Sequence, residues 1–233
     1  MKRHFTLVEV LIAMGVCVVG VCSIMALFPV GLANSRDAGT AGLSSNTADQ
    51  MLHLMKAIIV NESNTEEQAA TYFQALTGFA AGHFNTGIAA TDAQPKPAVD
   101  GEPDSDDDWV KVNGTTPPAT LPNSMKETIK ALNIMIGKVI SNDDLTVSVC
   151  TTPGIYKVER GGTMEDMECI VRLWAEPVGV ALGSSKGGVA YLPRTARFHA
   201  EVSWPVRKSY AKRQKQEYTM DVYCPPRESA PTP

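Results

Sequence analysis

From Phe5 to Leu32 the chain is almost continuously apolar, broken by one carboxylate, Glu9, and preceded by Lys2-Arg3-His4. About 28 residues at 1.5 Å each make a helix of about 42 Å, longer than the roughly 30 Å hydrocarbon layer of a bilayer. Such a helix crosses a membrane with tilt, or emerges from it. The basic residues ahead of it favour a cytoplasmic N-terminus for a single-pass span. The remaining residues are then expected in the periplasm or outside the cell. Glu9 is the anomaly, because an acidic side chain at mid-bilayer costs roughly 2.5 kcal/mol or more. An ordinary signal anchor explains the leader and the apolar run but not the carboxylate. A removable secretory signal fits Gly31-Leu32-Ala33 as a cleavage site, yet its apolar core far exceeds the usual ~7–15 residues.

The string Lys2-Arg3-His4-Phe5-Thr6-Leu7-Val8-Glu9-Val10-Leu11-Ile12-Ala13 resembles the leader of type IV pilins and type II secretion pseudopilins. The resemblance covers Lys2 to about Leu32, and Pro29 falls where helices of that family often kink. It implies cleavage between His4 and Phe5 by a prepilin peptidase, then N-methylation of Phe5. It also implies that Glu9 neutralises the terminal amine of a neighbouring subunit during filament assembly. One position departs from the pattern, since His4 stands where the family usually has Gly. The expected partners are the membrane, other pilin-like subunits, the peptidase and, indirectly, an assembly platform with its ATPase. The implied fold is α+β and pilin-like, a long N-terminal helix packed on a C-terminal antiparallel sheet.

Beyond the anchor, the 233-residue length leaves room for one domain. The formal charge of −4 argues against a nucleic-acid partner. Charge is unevenly placed: Asp100 to Asp108 is acidic, whereas Lys186 to Lys215 is basic. Two solvated faces account for this, as does complementarity between subunits, which would steer packing more than strengthen it. Cys17 and Cys22 lie in the apolar run as small buried residues. Cys150, Cys169 and Cys224 belong to the exported part, where disulfides persist. Three thiols cannot all pair with one another, and Cys150 with Cys169, expected on neighbouring strands, is the first pairing to test.

The chain divides into a leader (1–4), a transmembrane or filament-core helix (5–32), and an amphipathic continuation (33–60). A helical and loop-rich region (61–144), a β-sheet region (145–224) and a tail (225–233) follow. Met51, Leu52, Met55, Ile58 and Ile59 mark one helical face, despite weakening of the preceding stretch by Gly39 and Gly42. Thr65 with Gln68 and Ser124 with Glu127 form capping boxes that open helices over 66–81 and 125–136. Tyr72, Phe73, Leu76 and Phe79 supply the apolar face of the first. Between them, Gly, Pro, Thr and Asp from about 82 to 122 predict an exposed loop. β-Rich runs occupy 145–151, 167–176, 196–204 and 217–224, with a short strand at 156–159.

No nucleophile elbow, Walker loop, dinucleotide fingerprint or zincin motif is present, and no enzymatic activity is expected. No cofactor is expected either. The one candidate ion site is the acidic run, with Asp104, Asp106, Asp107 and Asp108 as possible calcium ligands. Some major pseudopilins bind calcium in a loop near the sheet, but this spacing does not fit an EF-hand and reads first as a solvated loop. Two functions remain: a pilin-like structural subunit, or a periplasmic binding module held by an uncleaved signal anchor.

Overall fold

The computed structural model describes residues 6–62, 96–103, 108–112, 145–160, 167–182 and 188–223, with isolated positions between 72 and 132. It is an α+β protein that divides into two compact units, residues 1–43 and 44–233. Helix α1, Leu7–Ala57, contributes to both and ends in a π-helical turn, Ile58–Glu62.

In the first unit the large apolar side chains of α1 from Leu7 to Phe28 are exposed. Leu7–Pro29 has a mean hydropathy of 2.7, and none of its side chains is buried within the chain. Among the described residues it is one helix long and apolar enough to cross a membrane. The helix runs through Pro29, where the ring removes one backbone donor.

In the second unit the same helix buries Ser44, Thr47, Ala48, Met51, Leu52, Leu54, Met55, Ile58 and Ile59. The spacing of three and four keeps most of these on one stripe; Leu52 and Leu54 widen it. Described positions near Leu76 and from Lys126 to Leu132 are also helical, and Leu76, Ile129 and Leu132 are buried.

The sheet holds six described strands in sequential order, all antiparallel. They are β1 Val110–Lys111, β2 Thr146–Val149, β3 Ile155–Arg160, β4 Met167–Leu182, β5 Gly188–Trp204 and β6 Gln214–Tyr223. Register separates two faces, because directly opposed residues share one. The first carries Val149, Tyr156, Val171, Val202 and Gln216 in one row, and Leu173, Ala200 and Tyr218 in the next. It faces the helices: the Tyr156 hydroxyl donates to the Leu76 carbonyl at 2.8 Å, and the Ser44 hydroxyl donates to Gln216 Oε1 at 2.7 Å. The second face carries Ile155, Arg172, Glu201 and Glu217 in one row, with Trp174 beside His199 in the next.

Three boundaries differ from the sequence-based expectation. β4 and β5 continue past Glu176 and begin before Ala196, passing through Pro177 and Pro193. The register shifts between Pro177 and Gly179, and Arg194 takes a left-handed φ of 57°. A bulge lets prolines sit in a strand without interrupting a ladder. β6 starts inside the basic segment rather than after it, and β1 lies in the expected loop, too short to leave an alternating pattern.

A chain beginning at Asn34 is expected to melt cooperatively, whereas one beginning after Val60 should aggregate or fail to fold. The shorter chain loses Met51, Leu54, Met55, Ile58 and Ile59, each fully buried, at roughly 1.5–3 kcal/mol per side chain. Thermal unfolding of the two soluble fragments decides whether this stripe belongs to the domain core.

Candidate functional site

At its start, α1 is capped by the residues that dominate the leader. Thr6 and Glu9 form a reciprocal box: the Thr6 backbone N–H donates to Glu9 Oε2 at 2.9 Å, and the Glu9 N–H donates to Thr6 Oγ1 at 3.4 Å. The Thr6 hydroxyl also reaches Glu9 Oε2 at 3.1 Å. Two orphan donors of the first helical turn are thereby satisfied. Glu9 therefore has a local partner within its own chain, a role the Thr-x-x-Glu spacing carries openly. His4 and Phe5 lie outside the described residues.

The expected Cys150–Cys169 disulfide is not formed. Both are free and buried, and strand order explains why: β3 lies between the end of β2, where Cys150 sits, and β4, which carries Cys169. Cys169 is opposite Val158, while Cys150 follows Val149, the partner of Tyr156. Two interstrand spacings alone make about 10 Å, beyond the roughly 7 Å Cα limit of a disulfide. Burial, with the Glu168 charge second, pushes the Cys169 thiol up to about 12. Burial also raises Cys150, against hydrogen bonding at Thr152. Both thiols are thus held protonated, the unreactive form.

Of the acidic run, Asp104, Asp106 and Asp107 lie outside the described residues, and Asp108 is exposed. Among the described residues no three His, Cys, Asp or Glu side chains converge to hold a metal.

Polar chemistry concentrates instead on the second face of the sheet. Arg172, only 1% exposed, is out of reach of water and is met by carboxylates from two directions. Its guanidinium pairs with Glu102 and lies 3.8 Å from Glu201 Oε1, while its Cζ sits 4.1 Å from the Tyr210 ring centre. Glu102 is shared with Arg213, whose Nη1 is 2.7 Å from Glu102 Oε2. Glu201 also pairs with Lys96 and accepts from the Tyr210 hydroxyl at 3.0 Å. Charges desolvated this far persist only when paired and hydrogen-bonded. Arg172 Nε has no hydrogen-bond partner among the described residues.

The network fastens two irregular segments over the sheet. Lys96 and Glu102 hold the strap 96–103, which contains a 3₁₀ turn, Val99–Gly101. Gly101 brings that strap against the β2–β3 turn so closely that an added Cβ would lie 2.9 Å from Thr152 Cγ2. Arg213 holds the turn 205–213 by donating from Nε to the Lys208 carbonyl at 2.7 Å and from Nη2 to the Val206 carbonyl at 3.2 Å. Farther along the same face, Trp174 stacks on His199 with ring centres 5.0 Å apart. His199 Nδ1 lies 3.1 Å from Glu217 Oε1. Arg197 grips Asp221 through two hydrogen bonds of 2.7 and 3.1 Å, which hold the Asp221 carboxyl below the ordinary carboxylate value.

Between strap and turn opens a cleft of about 810 Å³. Its floor is apolar: Ile170 belongs to a buried cluster with Cys150 and Ile155, against which Trp109 and Val206 pack. Its walls carry Asp100 and Glu102 on the strap, and Arg207, Lys208 and Arg213 on the turn. No protein-family model, curated protein or solved structure matches the chain.

The Glu102 carboxylate pairs with two guanidiniums that are 1% and 8% exposed. Glu102→Gln keeps the shape and removes the charge, so it should destabilise the domain by about 3–5 kcal/mol, the usual cost of orphaning a buried ion. Glu217→Gln, altering an exposed carboxylate on the same face, should cost under about 1 kcal/mol. Chemical denaturation of the two variants side by side tests this; equal effects would mean that Glu102 does not hold the network.

Proposed function

We propose that the chain is a pilin-like structural subunit, stored in the inner membrane by its N-terminal helix and assembled into a type II secretion pseudopilus or type IV pilus filament. One observation carries the reading: a span with none of its side chains buried in its own chain bears a single carboxylate, Glu9, in its first turn. The exposed side chains, Leu7 to Phe28, need apolar surroundings, and lipid or a bundle of identical helices supplies them equally well. Lipid leaves Glu9 with only its Thr6 partners. A bundle offers it the terminal amine of a neighbouring Phe5, as the leader's resemblance to pilins implies. That ion pair would fix axial register between subunits, while helix packing supplies the cohesion.

The intact mass of membrane-extracted protein tests the proposal. A mature chain beginning at a methylated Phe5 is the expected result, and a chain retaining Met1 would leave the second reading, a binding module on an uncleaved anchor. That second reading draws its own support from the cleft between strap and turn. Replacing Glu9 by Val should leave membrane insertion intact while cutting recovery in sheared filaments at least tenfold. The variant also loses the cap, a cost of about 1 kcal/mol, so Glu9→Gln serves as the companion: its side chain can still cap but cannot pair with an amine. Filament yield equal to wild type in the Gln form would remove the charge from the assembly mechanism.

A further inference from the structure

We propose that the cleft between the strap 96–103 and the turn 205–213 is a peptide-binding site, taking a chain segment with an apolar side chain next to one carboxylate. This goes beyond the filament reading and does not depend on it. The cleft volume, about 810 Å³, lies in the range of ligand sites and suits a few residues of peptide.

Its chemistry is divided. The floor offers Trp109, Ile170 and Val206, an apolar patch backed by the buried Cys150 and Ile155. The rim offers Arg207 and Lys208, both exposed and without an ion-pair partner among the described residues. The acidic side is mostly spoken for: Glu102 is held by Arg172 and Arg213, and Glu168 by Lys157 at 2.5 Å. Among the described residues, Asp100 alone lines the cleft as an exposed carboxylate without a partner. Among the described lining residues, two free cations stand against one free carboxylate, a balance that favours a monoanion over a doubly charged phosphate.

The turn that carries the cations is rigid where it matters. Arg213 holds the carbonyls on either side of Arg207, those of Val206 and Lys208, and Glu102 fixes Arg213 in turn. Pre-ordering the backbone of the turn lowers the entropy lost when the cations close on an anion.

The test uses the full chain in lipid nanodiscs and follows the indole N–H resonance of Trp109, assigned with Trp109→Phe. The probe is the tetrapeptide acetyl-Ala-Leu-Asp-Leu-amide, with its Asp-to-Asn counterpart as control. The Asp peptide should shift the Trp109 signal saturably below millimolar concentration, and the Asn peptide should bind at least tenfold more weakly. Arg207→Gln with Lys208→Gln should weaken the Asp peptide at least tenfold, whereas Lys56→Gln, on exposed α1, should change nothing. Raising salt should weaken binding, since the contact is at a rim open to screening. Equal binding of the two peptides, an unmoved Trp109 resonance, or full affinity in the double variant overturns the proposal. N-acetyl-leucine binding as tightly as the tetrapeptide would overturn the peptide assignment in favour of a small organic acid.

Discussion

The domain depends on one guanidinium. Arg172 sits in the middle of the sheet, on β4, with its side chain removed from water. An unpaired arginine there would cost several kcal/mol, so the fold has to bring carboxylates to it. Glu201 arrives through strand register, directly opposite on β5. Glu102 arrives from the strap, 70 residues upstream of Arg172. Arg213 then follows Glu102, and with it the turn after β5. One desolvated cation thus determines where two irregular segments lie, and a cleft exists because they lie there.

This makes the two faces of the sheet physically different. Toward the helices, contact is mostly apolar and forgiving: side chains of similar volume exchange at modest cost. On the second face each ion is held by specific partners, so substitutions act through charge and geometry together. The unsatisfied Nε of Arg172 and the stack of Trp174 on His199 belong to that stricter side.

What was legible in the sequence follows the same division. The stripe Met51, Leu52, Met55, Ile58 and Ile59 announces itself because helical periodicity is local, and all five are buried. Strand interiors were legible from alternation, but the end of β4 and the start of β5 were not, because both strands continue through Pro177 and Pro193 at a bulge. The buried ions were invisible because Glu102 and Arg213 are 111 residues apart and look like any surface charges. Only the placement of Arg172 and Glu201 inside β-rich runs hinted at them. Pairing Cys150 with Cys169 failed for want of strand order, which composition does not supply. At Glu9 the difficulty was the reverse. Its charge in an apolar run draws attention to distant partners and hides the Thr6-x-x-Glu9 cap, although the same spacing at Thr65 and Ser124 reads readily as one.

The sheet is a simple meander, each strand pairing with its neighbours in sequence, so most of it can form from short-range encounters, the quick kind in folding. The seat of α1 is different. Ser44 reaches across 172 residues to Gln216, on the final strand. Synthesis therefore delivers the helix first and its last contact last. Until β6 is laid down, the buried stripe of α1 has an incomplete surface to rest on, and the order of manufacture runs opposite to the order in which the domain can close.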